Sequence, residues 1–120
     1  MTEVFFYVDA RGRQPVRDWM EALSVKTQQK IAAWIHLLEA EGHQLRRPYA
    51  DKVRGALYEL RIRFGADQIR ILYFFFMRDK IILLHVFRNK QDRIEARDIE
   101  LAEARMADVI SRGWSEKTVF

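Results

Sequence analysis

The chain has 120 residues, 49% of them hydrophobic, which is enough for one domain, residues 1–120, with a sizeable core. Lysine and arginine number 21 against 17 acidic residues, and the net charge of +4 favours an anionic partner such as nucleic acid. The lack of cysteine excludes disulfides and thiolate metal sites. No secretory signal begins the chain, and its longest apolar run is too short for a membrane span. We therefore expect a cytoplasmic protein without membrane association.

The first third of the chain predicts a strand and two helices. Residues 4–8 (Val-Phe-Phe-Tyr-Val) are β-branched or aromatic, as in a strand. Pro15 suits the first turn of a helix, and Ser24 either ends that helix or caps the next one. A second helix is predicted to end at Gly42. Its apolar stripe has helical spacing: Ile31, Trp34, Ile35 and Leu38.

The rest of the chain predicts a loop, two hairpins and a helix. Residues 43–55 are polar and basic and are predicted to form a loop. Two hairpins follow, and Gly65-Ala66 suits the two-residue turn of the first. The last helix is predicted to stop at Gly113, which leaves a tail at 114–120 that is a candidate for mobility. The apolar stripe of this helix consists of Ile99, Ala102, Met106 and Ile110.

The element order is therefore βααβββα, which indicates an α+β fold built on an antiparallel β-meander. The two N-terminal helices are expected to cover one face of the sheet. The C-terminal helix is expected to pack at an edge or partly over the other face.

Charged side chains sit inside the first hairpin. Because side chains alternate across a strand, Glu59, Arg61 and Arg63 are predicted to point away from the helices. The two-residue turn places Arg61 directly opposite Arg70. Like charges opposed on one face destabilise a sheet by roughly 0.2–1 kcal/mol, so a nearby anion would stabilise this pair. Glu59 is the internal candidate, and a phosphate group is the external one.

The second hairpin is predicted to extend the same basic face. A two-residue turn at 78–79 would pair Phe76 with Ile81 and would bring Arg88 and Lys90 beside Arg61 and Arg70, whereas a three-residue turn would shift the pairing by one. Further arginines are candidates for enlarging the positive patch: Arg54, Arg63 and Arg93. Guanidinium groups gathered in this way bind phosphate through forked hydrogen bonds.

Three short motifs occur in a characteristic order. Glu59-Leu60-Arg61 is followed by an Arg-Ile-Leu-Tyr-Phe strand at 70–74, and then by Leu-Leu-His-Val-Phe at 83–87 with basic residues after it. This combination resembles the RelE/HigB toxin superfamily, and most closely its phage-derived HigB-like branch. The resemblance covers about residues 3–110 and implies the same βααβββα (RelE/ParE-like) fold.

The resemblance implies the toxin of a type II toxin–antitoxin system, a ribosome-dependent mRNA endonuclease (mRNA interferase) that needs no metal and no cofactor. It implies a catalytic basic set of Arg61, Arg70, Arg88 and Lys90, in which Arg61 matches the strand arginine that contacts phosphate. Its partners would be mRNA, the ribosome and a helix-turn-helix, HigA-like antitoxin. Many relatives have two adjacent lysines where this chain has Asn89 between two charges.

Proton transfer is the least specified part of this chemistry. Arginine stabilises developing charge but does not carry protons, so a separate base and acid are needed. Lys90 is a candidate because neighbouring arginines would lower its pKa. His85 is another, although a lone histidine in an apolar strand is more often a hydrogen-bonded sheet residue. The three histidines are scattered, so no metal site is predicted.

Two other functions remain open from the sequence. A ParE-like relative would have the same fold but would inhibit DNA gyrase without cleaving RNA; the basic set argues against it. A non-catalytic, phage-derived module that binds nucleic acid would need the basic face but no proton-transfer residues.

Overall fold

A computed structural model describes residues 2–89, 91–114 and 116–120, without the side chains of Asp67 and Glu116. It has an α+β fold, as predicted. The strands are β1 (Glu3–Phe6), β2 (Ala50–Arg54), β3 (Leu57–Phe64), β4 (Asp67–Phe76) and β5 (Lys80–Arg88). The helices are α1 (Pro15–Glu21), α2 (Val25–Glu41) and α3 (Ala96–Arg112), and short 3-10 turns occupy Gly42–Gln44 and Glu116–Thr118. No helix in the described ranges is both long and apolar enough to cross a membrane.

The strands form one mixed sheet in the order β1-β5-β4-β3-β2. Strands β2 to β5 form the antiparallel meander, and β1 adds in parallel to β5. The parallel pair follows from the chain path, because α1 and α2 carry the chain across one face of the sheet between β1 and β2. Strand β2 lies within the segment 43–55 that we predicted to be a loop, so the element order is βααββββα.

One face of the sheet packs against α1 and α2. The helical stripe Ile31, Ile35 and Leu38 is completely buried against Leu60 and Ile62 of β3 and against strand residues of β1, β4 and β5. Tyr58 also points to this side. The alternation predicted for β3 is thus confirmed, and it fixes which residues of that strand point to the opposite face.

Helix α3 covers part of that opposite face. Its buried residues Ala102 and Val109 pack against Leu57, Leu72 and Phe74, in a second core. The hydroxyl of Tyr7 donates a hydrogen bond to the Asp108 carboxylate of α3 over 2.5 Å, which anchors the helix to the chain beyond β1. The C-terminal helix therefore packs over the second face, as expected.

The second hairpin differs in detail from the prediction. Its turn has three residues, Met77–Asp79, so Phe76 pairs with Lys80 and not with Ile81. Met77 and Arg78 adopt positive φ values of 54° and 72°, in the left-handed region. A β-bulge between Leu72 and Tyr73 then shifts the register back by one residue. Because the two shifts cancel, the predicted pairing of Arg70 with Phe87 is present.

The tail packs along the outer edge of β1. The backbone N–H of Phe120 donates to the carbonyl of Val4 over 2.8 Å, and Val119 bridges to Phe5. The Phe120 ring contacts Phe6, with centroids 5.9 Å apart, and Trp114 contacts Phe5 at 4.8 Å. The tail thereby covers the edge of β1 that would otherwise be open.

Candidate functional site

The end of the second sheet face that lies near the β3–β4 turn is bordered by the connector between β5 and α3. Charged side chains occupy this part, and we refer to Glu59, Arg61, Arg63 and Arg70 as the arginine face. The register confirms the predicted first hairpin: Arg61 lies opposite Arg70 and Arg63 opposite Gln68. Gly65 has a φ of 59°, as a two-residue turn of this kind requires.

Arg70 is an internal cation. Its side chain is 2% exposed and donates to the Glu59 carboxylate over 2.7 Å. A second nitrogen donates to the carbonyl of Gln91 over 3.1 Å and so ties the β5–α3 connector to the sheet. Burial raises the pKa of Glu59, against the attraction of Arg70 and Arg61. Since almost none of Arg70 is accessible, its role here is to hold Glu59 and the connector in place.

Arg61 is the accessible cation of the pair. Its backbone N–H donates to the carbonyl of Tyr49 over 2.7 Å, which fixes the strand, while its side chain is only half-buried. Among the residues that the structure describes, no carboxylate forms an ion pair with the Arg61 guanidinium. Its charge nevertheless helps to lower the pKa of Asp51, although Arg47 contributes more. The backbone of Arg61 is therefore fixed in the sheet, and its guanidinium is available to an external anion.

Arg63 extends the arginine face toward solvent. Its side chain is 65% exposed and lies 3.7 Å from the carboxylate of Asp92 in the connector. An exposed pair at this distance contributes little to stability. A phosphate group could therefore replace Asp92 at low cost.

Arg88 does not join this cluster. It pairs with Ile69, whose side chain lies in the helix-side core, and its guanidinium lies over the Trp19 ring at 5.5 Å. The physical reason is strand alternation: Phe87 takes the place beside Arg70, so the next side chain points to the other face. The expectation that Arg88 lies beside Arg61 is thus wrong. Lys90 lies outside the described residues.

The two remaining candidate arginines, Arg54 and Arg93, lie in different parts of the fold. Arg54 forms a forked pair with Glu103 of α3, with contacts of 2.6 and 3.0 Å, and so joins β2 to that helix. Arg93 lies in the connector, where it is exposed and where its carbonyl accepts a hydrogen bond from the Asn89 side chain. Only Arg93 of these two presents an exposed cation near the arginine face.

His85 is a bonded sheet residue. Its Nε2 lies 2.8 Å from the Asp98 carboxylate of α3, and the side chain is 15% exposed. Burial lowers the pKa of His85, Asp98 opposes this, and Arg105 adds to it. The ring is therefore neutral at physiological pH and bridges β5 to α3.

Arg47 and Asp51 were missed in the sequence. Asp51 lies opposite Glu59 on β2, and the Arg47 side chain donates to it over 2.7 Å. The missed signal is the alternation of Ala50-Asp51-Lys52-Val53-Arg54, which the polar composition conceals.

Among the described residues, no group of three or more histidine, aspartate and glutamate side chains could hold a metal ion.

Comparison with protein families identifies a match over most of the chain. Residues 18–107 match the family described as phage derived protein Gp49-like (DUF891). No curated protein matches the chain. The matched segment begins in α1 and ends in α3, so it includes the whole arginine face.

Proposed function

The chain belongs to the Gp49-like family of phage-derived proteins, which is associated with RelE/HigB-like toxins, and we propose that it is the toxin of a type II toxin–antitoxin system. We place it in the HigB-like branch, as a ribosome-dependent mRNA endonuclease acting in the cytoplasm. The observation that supports this most strongly is Arg61, an accessible guanidinium held beside the buried Glu59–Arg70 pair.

The proposed reaction is cleavage of RNA without a metal ion. The ribose 2′-hydroxyl loses its proton to a base and its oxygen attacks the adjacent phosphorus. The bond to the 5′-oxygen breaks and that oxygen takes up a proton from an acid, so a 2′,3′-cyclic phosphate and a 5′-hydroxyl result. Arg61 would hold the phosphate and stabilise the charge that develops on its oxygens. Arg63 would contact a neighbouring phosphate. Arg70 would act as a positioning residue, because it holds Glu59 next to Arg61.

Expression tests the toxin proposal. Inducing the protein alone should arrest growth and shorten mRNAs, and Arg61→Ala should restore growth while the protein stays folded. Arg11→Ala removes an exposed arginine elsewhere and should remain toxic. Growth arrest with intact mRNA and accumulating DNA breaks would favour the gyrase-directed function instead.

A second function, RNA binding without cleavage, is favoured by the state of the proton-transfer candidates. His85, the one of the two candidates that the structure describes, is largely buried and bonded to Asp98. A binding assay beside a cleavage assay on ribosomes separates the two functions. Binding that depends on Arg61, without any cleavage product, would support the binding module and would overturn the nuclease.

The proposed protein partner is a helix-turn-helix, HigA-like antitoxin. An acidic antitoxin segment covering the arginine face would associate more slowly as salt is added, and more slowly when Arg61 is replaced by alanine. The rate of association, measured across a salt series, tests this. A rate that neither change affects would place the antitoxin elsewhere on the protein.

A further inference from the structure

A depression of about 470 Å³ opens beside the outer edge of β2. It lies between the segment that follows α2 and strand β2, and Tyr58 of β3 also lines it. Three cations line it, Arg46, Arg47 and Lys52, with Asp51 as the lining carboxylate. It is separate from the arginine face, and the toxin chemistry proposed above does not use it.

The charge of this depression is only partly balanced. Asp51 accepts from Arg47 over 2.7 Å and so neutralises that cation. The Lys52 ammonium lies 5.9 Å from the centre of the Tyr58 ring, a contact that leaves its charge uncompensated. Arg46 is exposed and has no ion pair within the described part of the chain. Two positive charges therefore face the cavity without a carboxylate.

The depression is electrostatically continuous with the arginine face. Asp51 and Lys52 are consecutive on β2, so one points toward the arginine face and the other toward the helix side. Arg47 connects the two sides, because it lines the depression and donates to Asp51, which lies opposite Glu59 of the arginine face. Cations therefore continue from Arg61 around an open sheet edge to Arg46.

We propose that this depression binds backbone phosphates of the same single-stranded RNA whose neighbouring phosphate Arg61 holds. The inference rests on the proposed function, and it assigns Arg46 and Lys52 to anchoring RNA and not to its cleavage. Tyr49 directly precedes β2 and is 42% exposed. It favours RNA over an acidic peptide, because an exposed ring beside the cations can stack against a base.

Binding to an RNA that cannot be cleaved tests the proposal. The probe is a 2′-O-methyl 12-mer, and its Kd is measured over a series of KCl concentrations. For Arg46→Ala/Lys52→Ala we expect binding weakened on the order of tenfold near 0.1 M salt, and a salt slope reduced by about 1.4, from two lost phosphate contacts on a single strand. Thermal melts verify that the variant is folded.

The matched control is Arg11→Ala/Lys26→Ala, which removes two exposed cations elsewhere. Lys26 lies at the opposite end of α2 from the depression, roughly 22 Å away at 1.5 Å per residue. This control should keep the wild-type Kd and slope. Equal losses in both double variants would mean that only total charge matters and would overturn the site. The proposal would also be overturned if a deca-glutamate peptide bound more tightly than the RNA and if this binding were lost in Arg46→Ala/Lys52→Ala.

The result is independent of whether the protein cleaves RNA. If expression is harmless and no cleavage occurs, but the double variant still loses RNA affinity, the anchor stands and the nuclease proposal fails. If cleavage occurs and the double variant binds RNA like the wild type, the nuclease proposal stands and the anchor fails.

Discussion

Arg61 and Arg70 face each other across two neighbouring strands, but their surroundings differ. Arg70 is enclosed and bonded to Glu59, whereas the Arg61 guanidinium reaches solvent. The buried carboxylate stabilises one arginine of an otherwise repulsive pair and leaves the other for an external anion. This division of roles allows two like charges to occupy one register position.

Replacing Arg70 should therefore harm stability far more than replacing Arg61. Arg70→Met leaves a buried carboxylate without its partner, which costs about 3–5 kcal/mol of unfolding free energy. In Arg70→Met/Glu59→Leu the unpaired charge is gone, so most of that stability should return. Arg61→Ala should cost less than about 1 kcal/mol. Urea unfolding measures all three, and an equal loss in Arg61→Ala would contradict the roles assigned here.

His85 should make stability depend on pH. Its pKa in the folded protein is below the ordinary value of 6.5, so the unfolded chain takes up the proton first. The stability is fully present above pH 6.5 and is lost as the pH falls toward the folded-state pKa. His85→Gln should flatten urea-unfolding stability between pH 7 and 5. The exposed His36→Gln is the control and should keep the wild-type slope.

At the level of single residues, the predictions agree best with the structure where a short local motif determines the geometry. Gly65-Ala66 forces a two-residue turn, and so Arg61 faces Arg70 as predicted. Which of the two arginines pairs with Glu59 depends on a further hydrogen bond, from Arg70 to the backbone carbonyl of Gln91 in the connector. Gln91 is 21 residues away from Arg70 in the chain. No local pattern carries that information.

The strands and helices also show which patterns mislead. Strand β2 has alternating burial, but its charged residues gave it the composition of a loop. In β5 the bulge that cancels the three-residue turn leaves Leu84 without a partner in the β4 register. The alternation of residues 50–54 is a signal for β2, but it does not predict the bulge, which depends on how β4 and β5 fit together.

The tail should contribute to stability as an element of its own. Removing residues 114–120 takes away the Trp114 and Phe120 contacts and opens the edge of β1. The loss should be about 2–4 kcal/mol, since each ring is partly buried and full burial of a large side chain gives roughly 1.5–3 kcal/mol. Urea unfolding and light scattering are the measurements, because an open edge also promotes association.

The control for the truncation is Val119→Ala. Val119 is 47% exposed, so this change should cost less than about 0.5 kcal/mol. A truncated protein as stable as the full chain would mean that the tail contacts carry no stability.

The whole molecule is a single sheet with a core on each face. Because β3, β4 and β5 contribute to both cores, neither can come apart while the other stays intact. Unfolding should therefore be one cooperative transition. The apolar periods of the helices and strands were sufficient to predict this layered α+β arrangement, whereas the parallel position of β1 was not readable from them.

Tryptophan fluorescence can test cooperativity separately on the two faces. Trp19 and Trp34 pack on the helix side and Trp114 on the other. In Trp114→Phe the remaining fluorescence reports only the core on the side of α1 and α2. In Trp19→Phe/Trp34→Phe it reports only the core on the side of α3. In each variant the fluorescence midpoint should coincide with the circular dichroism midpoint of the same protein. Separate midpoints would show that the cores unfold independently.

The turn between β4 and β5 can be changed to make the protein more stable. Met77 and Arg78 adopt left-handed backbone angles, which residues other than glycine rarely do. This turn lies at one end of β4, whereas Arg70 and the Gly65 turn lie toward the other end. Met77→Asn/Arg78→Gly, the residue pair preferred in left-handed turns, should raise the unfolding free energy by about 1 kcal/mol without changing RNA binding. This stabilised protein would be a better background for destabilising variants such as Arg70→Met. Because more of each variant would stay folded, its folding and its function could be measured on the same molecule.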